Sequence, residues 1–175
     1  MMLTSQDTTL RQPDVCDFDF LVRLRNDAIV QAQLMALMRA NSVRRVENWI
    51  EAVLADPDSL FFIISETQSG KGIGFIQLRR IDFVHRHGNL GIALTAEFRG
   101  KGHGFNAIKL LENHAADVFG VRKAMLQVLA DNQAAVRLYS KCGYRTVGTM
   151  TSHFYHTGTF HDVILMEHLL ARNGT

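Results

Sequence analysis

A mixed α/β fold is predicted for this chain, and three observations predict it. Apolar, strand-like runs at 60–64, 73–80 and 90–95 follow one another through its middle. Stretches with helical spacing flank them, at 17–25 and 43–55 before and at 104–119 after. Between the run ending at Thr95 and the helix starting at Gly104 lies Phe98-Arg99-Gly100-Lys101-Gly102-His103-Gly104. A glycine-rich turn from strand to helix gathers backbone N–H groups at the positive end of a helix dipole. Such a concavity binds pyrophosphate.

Each element has its own warrant. Residues 1–7 read as frayed, and 8–12 as a first strand. Phe18, Leu21, Leu24 and Ala28 recur at helical spacing. A second helix is expected over 29–39, apolar and rich in methionine (Met35, Met38). A third, over 43–55, carries Val46, Trp49, Ile50 and Val53 and stops before Pro57. Trp49 reads as core. The turn 68–72 joins strand 60–64 to strand 73–80, and 85–88 turns into strand 90–95. A strand at 123–130, a helix at 132–141 and strands near 144–155 and 160–168 follow, with Gly158 turning the last pair. Strands interleaved with helices predict a layered sheet covered by helices on both faces.

Composition excludes more than it selects. At 175 residues the chain reads as one domain, 1–175. A net charge of +2 is too weak to point to nucleic acid. No run reaches the roughly 18 apolar residues of a membrane span, and no signal peptide is recognisable. Cys16 and Cys142, few and far apart, read as free thiols of a reducing, cytoplasmic protein. Self-association into a homo-oligomer is left open.

Three fingerprints compete for the glycine loop. A P-loop would need glycine where Ser65 stands before Gly70-Lys71. The dinucleotide pattern G-x-G-x-x-G is met by Gly100 and Gly102, with Asp131 as a ribose-binding acid, but its third position is Phe105. The third pattern, Arg/Gln-x-x-Gly-x-Gly/Ala, is met at every defined position by Arg99 to Gly104. About thirty residues on stands Asn132-Gln133-Ala134-Ala135-Val136-Arg137-Leu138-Tyr139-Ser140-Lys141-Cys142-Gly143-Tyr144. Asn132 suits a helix N-cap and Gly143 a left-handed stop.

Over roughly residues 60–168 these two motifs, in this order and at this separation, resemble the GCN5-related N-acetyltransferases. The second is similar to that family's N-x-x-A-x-x-L-Y-x-K-x-G-F signature, with Tyr144 for its phenylalanine. The resemblance implies a central, mostly antiparallel sheet of about seven strands, splayed between its fourth and fifth. It implies acetyl-CoA as co-substrate, no metal, and direct attack of a primary amine on the thioester. Its pyrophosphate would lie on Arg99, Gly100, Lys101, Gly102, His103 and Gly104, with Lys101 and His103 acting through backbone N–H groups. Ile92, Ala93 and Leu94 would present backbone donors to the oxyanion, and Asn132 and Lys141 would contact the cofactor. Tyr139 would be the general acid that protonates the leaving thiolate. A core aromatic is its bland alternative.

Other candidates are weaker. His85 and His87 form an H-x-H pair that could line the acceptor site as base or relay. As a metal site the pair lacks a third ligand of recognisable spacing. Glu97, just before the loop, is a candidate site-lining acid. His153, Tyr155 and His156 read as a solvated strand face. Within the family, Phe83 to His87, Glu97 to Gly102 and Gly148 to Gly158 are similar to the spermidine N-acetyltransferases, in a branch shared with ribosomal-protein N-terminal acetyltransferases. That makes a polyamine-type amine such as spermidine or spermine the first acceptor. The polyamine enzymes carry clustered acids in their N-terminal helices, where this chain has Gln31-Ala32-Gln33-Leu34-Met35-Ala36-Leu37-Met38. An amino sugar carried on a nucleotide and a protein N-terminus therefore stay open as acceptors. So do two non-enzymatic readings, an acetyl-CoA-binding sensor and a dinucleotide-binding module.

Overall fold

A computed structural model describes residues 1–171 of the chain. Its centre is one eight-stranded sheet. The strands are β1 (Met2–Thr4), β2 (Thr8–Arg11), β3 (Leu60–Glu66), β4 (Gly72–Asp82), β5 (His87–Leu94), β6 (Lys123–Leu129), β7 (Arg145–His156) and β8 (Thr159–Leu169). They lie in the order β1-β2-β3-β4-β5-β6-β8-β7, antiparallel throughout except for β5 beside β6. The helices are α1 (Phe18–Asn26), α2 (Ala28–Gln33), α3 (Val43–Ala55), α4 (His103–Phe119) and α5 (Gln133–Cys142).

The period-2 rule sorts β3 cleanly between two cores. Phe61 and Ile63 pack with Leu21, Leu24, Val46 and Ile50 of α1 and α3. Phe62 and Ile64 pack with Ala107, Ile108 and Leu111 of α4. The sheet is thus covered on both faces, as expected, and its strands are apolar on both sides for that reason. A bidentate bridge from Arg11 to the buried Asp17 (2.7 Å to each oxygen) ties β2 to the start of α1.

Three expectations need correction. The sheet has eight strands, because residues 2–4 form an edge strand paired Met2 to Arg11 through Thr4 to Thr9. Three residues carry too little alternation to show in sequence. The helix expected over 29–39 ends at Gln33, and Met35 takes a left-handed φ of 50°. The cause is side-chain competition for the backbone. Buried Gln31 donates to the carbonyls of Arg25 (2.8 Å) and Arg39 (3.0 Å) and accepts from Arg39 N–H (2.9 Å). Asn41 donates to the same two carbonyls. Finally, Trp49 is only half-buried: one side meets Phe61 edge-on at 5.3 Å, while the Arg25 guanidinium lies 4.0 Å from its ring centre.

Leu111 of α4 is 1% exposed in the larger core. Leu111→Ala should destabilise the fold by about 2–5 kcal/mol, read as a lowered urea midpoint with an unchanged m-value.

Candidate active site

The site begins where two parallel strands stop pairing. β5 and β6 are in register only at His87–Lys123, Gly88–Ala124 and Asn89–Met125. Beyond Asn89, β5 keeps its partner β4 as far as Leu94, and β6 keeps β8 as far as Leu129. The facing edges part and leave a wedge whose walls carry backbone polar groups without a strand partner. A cleft of about 890 Å³ occupies it, bordered by Ile92, Ala93 and Leu94 on one side and Leu126, Gln127 and Val128 on the other.

The glycine loop closes one end. Gly100 (φ 74°) and Gly102 (φ 90°) both take left-handed conformations, which side chains with a Cβ adopt at a penalty. A Cβ on either would meet nothing within 4 Å, so conformation and open approach, not crowding, call for glycine there. At Gly104 the reason differs, since its Cβ would press Leu138 of α5 at 3.1 Å. α4 starts without a side-chain cap. Among the described residues the N–H groups of 102–105 reach no acceptor, and the helical ladder begins with Asn106 N–H on Gly102 O at 3.1 Å. Four free donors at the positive end of a 17-residue helix make an anion seat. Arg99 folds back to donate from Nε to Leu94 O (3.0 Å), pinning the loop to the end of β5.

α5 forms another wall. Asn132 caps it by accepting from Ala135 N–H (3.2 Å) and borders the cleft, as does Lys141, whose Nζ sits 5.2 Å from the Phe105 ring. Tyr139 is 8% exposed and lines the cleft. Burial, helped by nearby Cys142, pushes its phenol up to about 12. It is therefore a neutral donor at physiological pH. α5 is held by a buried network. Glu112 (4% exposed) takes His168 Nδ1 at 2.9 Å and Lys109 Nζ at 3.3 Å, and Lys109 Nζ also donates to Cys142 O at 2.6 Å.

Of the residues expected at the site, the cleft gathers Ile92, Ala93, Leu94, Arg99, Gly100, Gly102, Gly104, Asn132, Tyr139 and Lys141. Lys101 is exposed, with its ammonium 5.1 Å from the Phe98 ring. The His103 ring turns inward to Thr8 Oγ1 (2.9 Å), so only its main chain faces the loop. Glu97 is exposed on the short 3₁₀ turn Ala96–Phe98 and does not border the cleft. His85 and His87 also lie outside it, at the β4–β5 bend, where Asp82 accepts from His85 N–H at 2.7 Å. The turn puts His85 off the strand, yet the two rings still stack, with centroids 6.4 Å apart. Among the described residues no group of three or more metal-ligating side chains forms.

The other end of the cleft was not legible from motifs. Arg25 and Trp49 come from α1 and α3, Met35 from the loop after α2, and Gln77, Arg79 and Arg80 from β4. Among the described residues no aspartate or glutamate borders the cleft. The one local signal is Arg79-Arg80, a charged pair closing an otherwise apolar strand.

A sheet splayed beside a glycine loop, with a buried tyrosine on the next helix, is the architecture of an acetyltransferase. The family model described as "Acetyltransferase (GNAT) domain" matches residues 7–145, and the chain belongs to that family. It is an acyltransferase with acetyl-CoA as co-substrate. The chain is 25% identical to spermidine N(1)-acetyltransferase of Vibrio cholerae over 155 residues, 89% of this chain and 88% of that one. It is 30% identical to the Escherichia coli enzyme of the same name over 97 residues, 55% of this chain and 52% of that one. The crystal structure of the Vibrio cholerae spermidine N-acetyltransferase in complex with CoA and spermine superposes with a TM-score of 0.87 at 25% identity, covering 95% and 97% of the two chains.

Burial also raises the Cys142 thiol to about 11, with nearby Glu112 adding to it. Both Tyr139 and Cys142 have folded pKa values above their unfolded ones, so each favours the folded state fully below the unfolded value and loses that contribution as pH rises. The window runs from about 9 to 11 for Cys142 and from about 10 to 12 for Tyr139. Urea midpoints should fall from pH 9 upward, and the Tyr139→Phe protein should fall less steeply than wild type above pH 10.

Proposed function

We propose that this chain moves the acetyl group of acetyl-CoA to a primary amine by direct attack on the thioester, within the cleft between β5 and β6. The observation that carries the proposal is the convergence, in one cleft, of free loop amides, unpaired strand edges and the protonated hydroxyl of Tyr139.

The chemistry follows from those groups. The free N–H groups at the start of α4 hold the pyrophosphate, and Arg99 fixes their loop to β5. Asn132 and Lys141 border the arm that leads inward. The thioester carbonyl then lies along the edge of Ile92 to Leu94, where a backbone N–H stabilises the oxyanion as the amine nitrogen bonds to the carbonyl carbon. The C–S bond breaks, Tyr139 donates to the departing sulfur, and the proton shed by the amine makes up the balance.

Kinship supports a polyamine-type amine as the first acceptor, because the relatives are named for spermidine and one structure holds spermine. The charge of the cleft supports a second class, an amine that also carries an anion, such as an amino-sugar nucleotide or an acidic peptide N-terminus. A dodecameric structure of the Vibrio cholerae enzyme supports self-association of this chain as well. The deciding experiment pairs a thermal-shift panel of acetyl-CoA, NADH and ATP with an amine screen that reads release of the CoA thiol. Stabilisation by NADH without any by acetyl-CoA would overturn the proposal.

Two variants test the assigned roles. Tyr139→Phe keeps the ring and its packing, so kcat should fall by about 10²–10⁴-fold while the KM for acetyl-CoA holds. Gly102→Val places a β-branched side chain at φ 90° where the phosphates approach. The KM for acetyl-CoA should rise by about tenfold or more, the loss of one or two charge-assisted hydrogen bonds.

A further inference from the structure

Beside the acceptor end of the cleft lies a second cavity of about 340 Å³. Arg25, Arg39 and Arg45 border it, and among the described residues no aspartate or glutamate does. It shares Arg25, Val30, Leu34, Ala36 and Trp49 with the larger cleft, so the two adjoin at the Arg25–Trp49 stack. Two of the arginines are placed at a cost. Arg25 is half-buried over Trp49, and its Nε is buried with no hydrogen-bond partner. Arg45 sits in the first turn of α3, at the positive end of that helix, with no acidic residue in the turn to offset it. Arg39 is anchored by its backbone, which buried Gln31 and Asn41 hold through both its N–H and its carbonyl.

Among the described residues none of the three guanidiniums is in an ion pair. Desolvation lowers the Arg25 pKa, and repulsion from Arg45 and then Arg39 lowers it further. Three like charges around one cavity, with Arg25 among them partly desolvated, raise the free energy of the empty site, and a bound anion relieves that. Buried guanidinium donors are otherwise almost always satisfied. The donor set, planar and multiply N–H bearing, matches the oxygens of a carboxylate or phosphate.

We infer that the cavity of Arg25, Arg39 and Arg45 is an anion pocket that holds a carboxylate or phosphate group of the acceptor while its amine reaches the thioester. The inference rests on the acetyltransferase reading and favours the second acceptor class. Arg79 and Arg80 of β4 add positive charge to the adjoining wall of the larger cleft. Among the described residues only Arg79 is offset, by Asp56 at 3.9 Å. Gln77, on the same wall, has a buried Oε1 with no donor, an acceptor available to an amine N–H. A polycation would meet this lining with like charge throughout.

The test uses matched amines that differ only in the anion: glucosamine against glucosamine 6-phosphate, and amidated glycyl-glutamine against amidated glycyl-glutamate, with spermidine alongside. At least one anion-bearing amine should exceed its neutral twin in kcat/KM by about tenfold or more, the worth of one charge-assisted hydrogen bond. Which pair separates tells phosphate from carboxylate. In the double variant Arg39→Gln, Arg45→Gln, both exposed positions, that ratio should collapse toward one through a raised acceptor KM, with the KM for acetyl-CoA unmoved. Twins of equal efficiency, a ratio that survives in the double variant, or spermidine outrunning both anionic amines would overturn the pocket. Should no amine release CoA, the acetyltransferase reading fails by itself. The pocket is then judged by calorimetry of glucosamine 6-phosphate on the CoA-bound protein. Binding that the double variant loses supports an anion pocket, and no binding to wild type refutes it.

Discussion

The structure depends on an interruption of hydrogen bonding. Three residue pairs hold β5 to β6, and then the strands part. Backbone groups inside a sheet are normally consumed by the ladder, so a parted edge inside a protein is costly unless something else uses it. Here the parted edge borders the cleft from Leu90 to Leu94, and the glycine loop and α5 are set around the same opening. Acyl transfer needs donors already aimed at a developing oxyanion. An unpaired strand edge supplies them without any side chain.

Such an opening stays in place only if its walls are fixed from outside. The buried Glu112–His168–Lys109 network does this for α5, reaching from α4 to β8 and to the last carbonyl of the helix that carries Tyr139. Gly143 seals the same corner, since a Cβ there would stand 2.7 Å from His168 Nε2. On the opposite side, Gln31 and Asn41 do for the α2–α3 loop what a helix would do with its own backbone. The chemistry is thus held by amides and one carboxylate remote from the reacting atoms.

Charge separates the two ends of the cleft from each other and from the expectation raised by kinship. The cofactor end is positive through amide dipoles, which suits pyrophosphate in any member of the family. The acceptor end is positive through arginines. A spermidine site needs carboxylates to offset ammonium groups. Here Arg25, Gln77, Arg79 and Arg80 stand along the wall instead.

The amino-acid sequence by itself determined the parts that depend on neighbours along the chain. Glycine spacing marked the anion loop, Asn132 and Gly143 marked the limits of α5, and the apolar runs marked both the strands and the two-faced burial of the sheet. The early end of α2 escaped because it comes from Gln31 reaching Arg39, eight residues on, against a strong local helical pattern. The family resemblance put His85, His87 and Glu97 forward as site-lining candidates, yet a bend and a 3₁₀ turn carry them outside the cleft. Only the tertiary structure brought Arg25, Arg39 and Arg45 to one cavity and opened it to the wall of Gln77, Arg79 and Arg80. No periodicity encodes that meeting. It is made by long-range packing of three helices on a sheet, and burial and charge combine there only once the chain has folded.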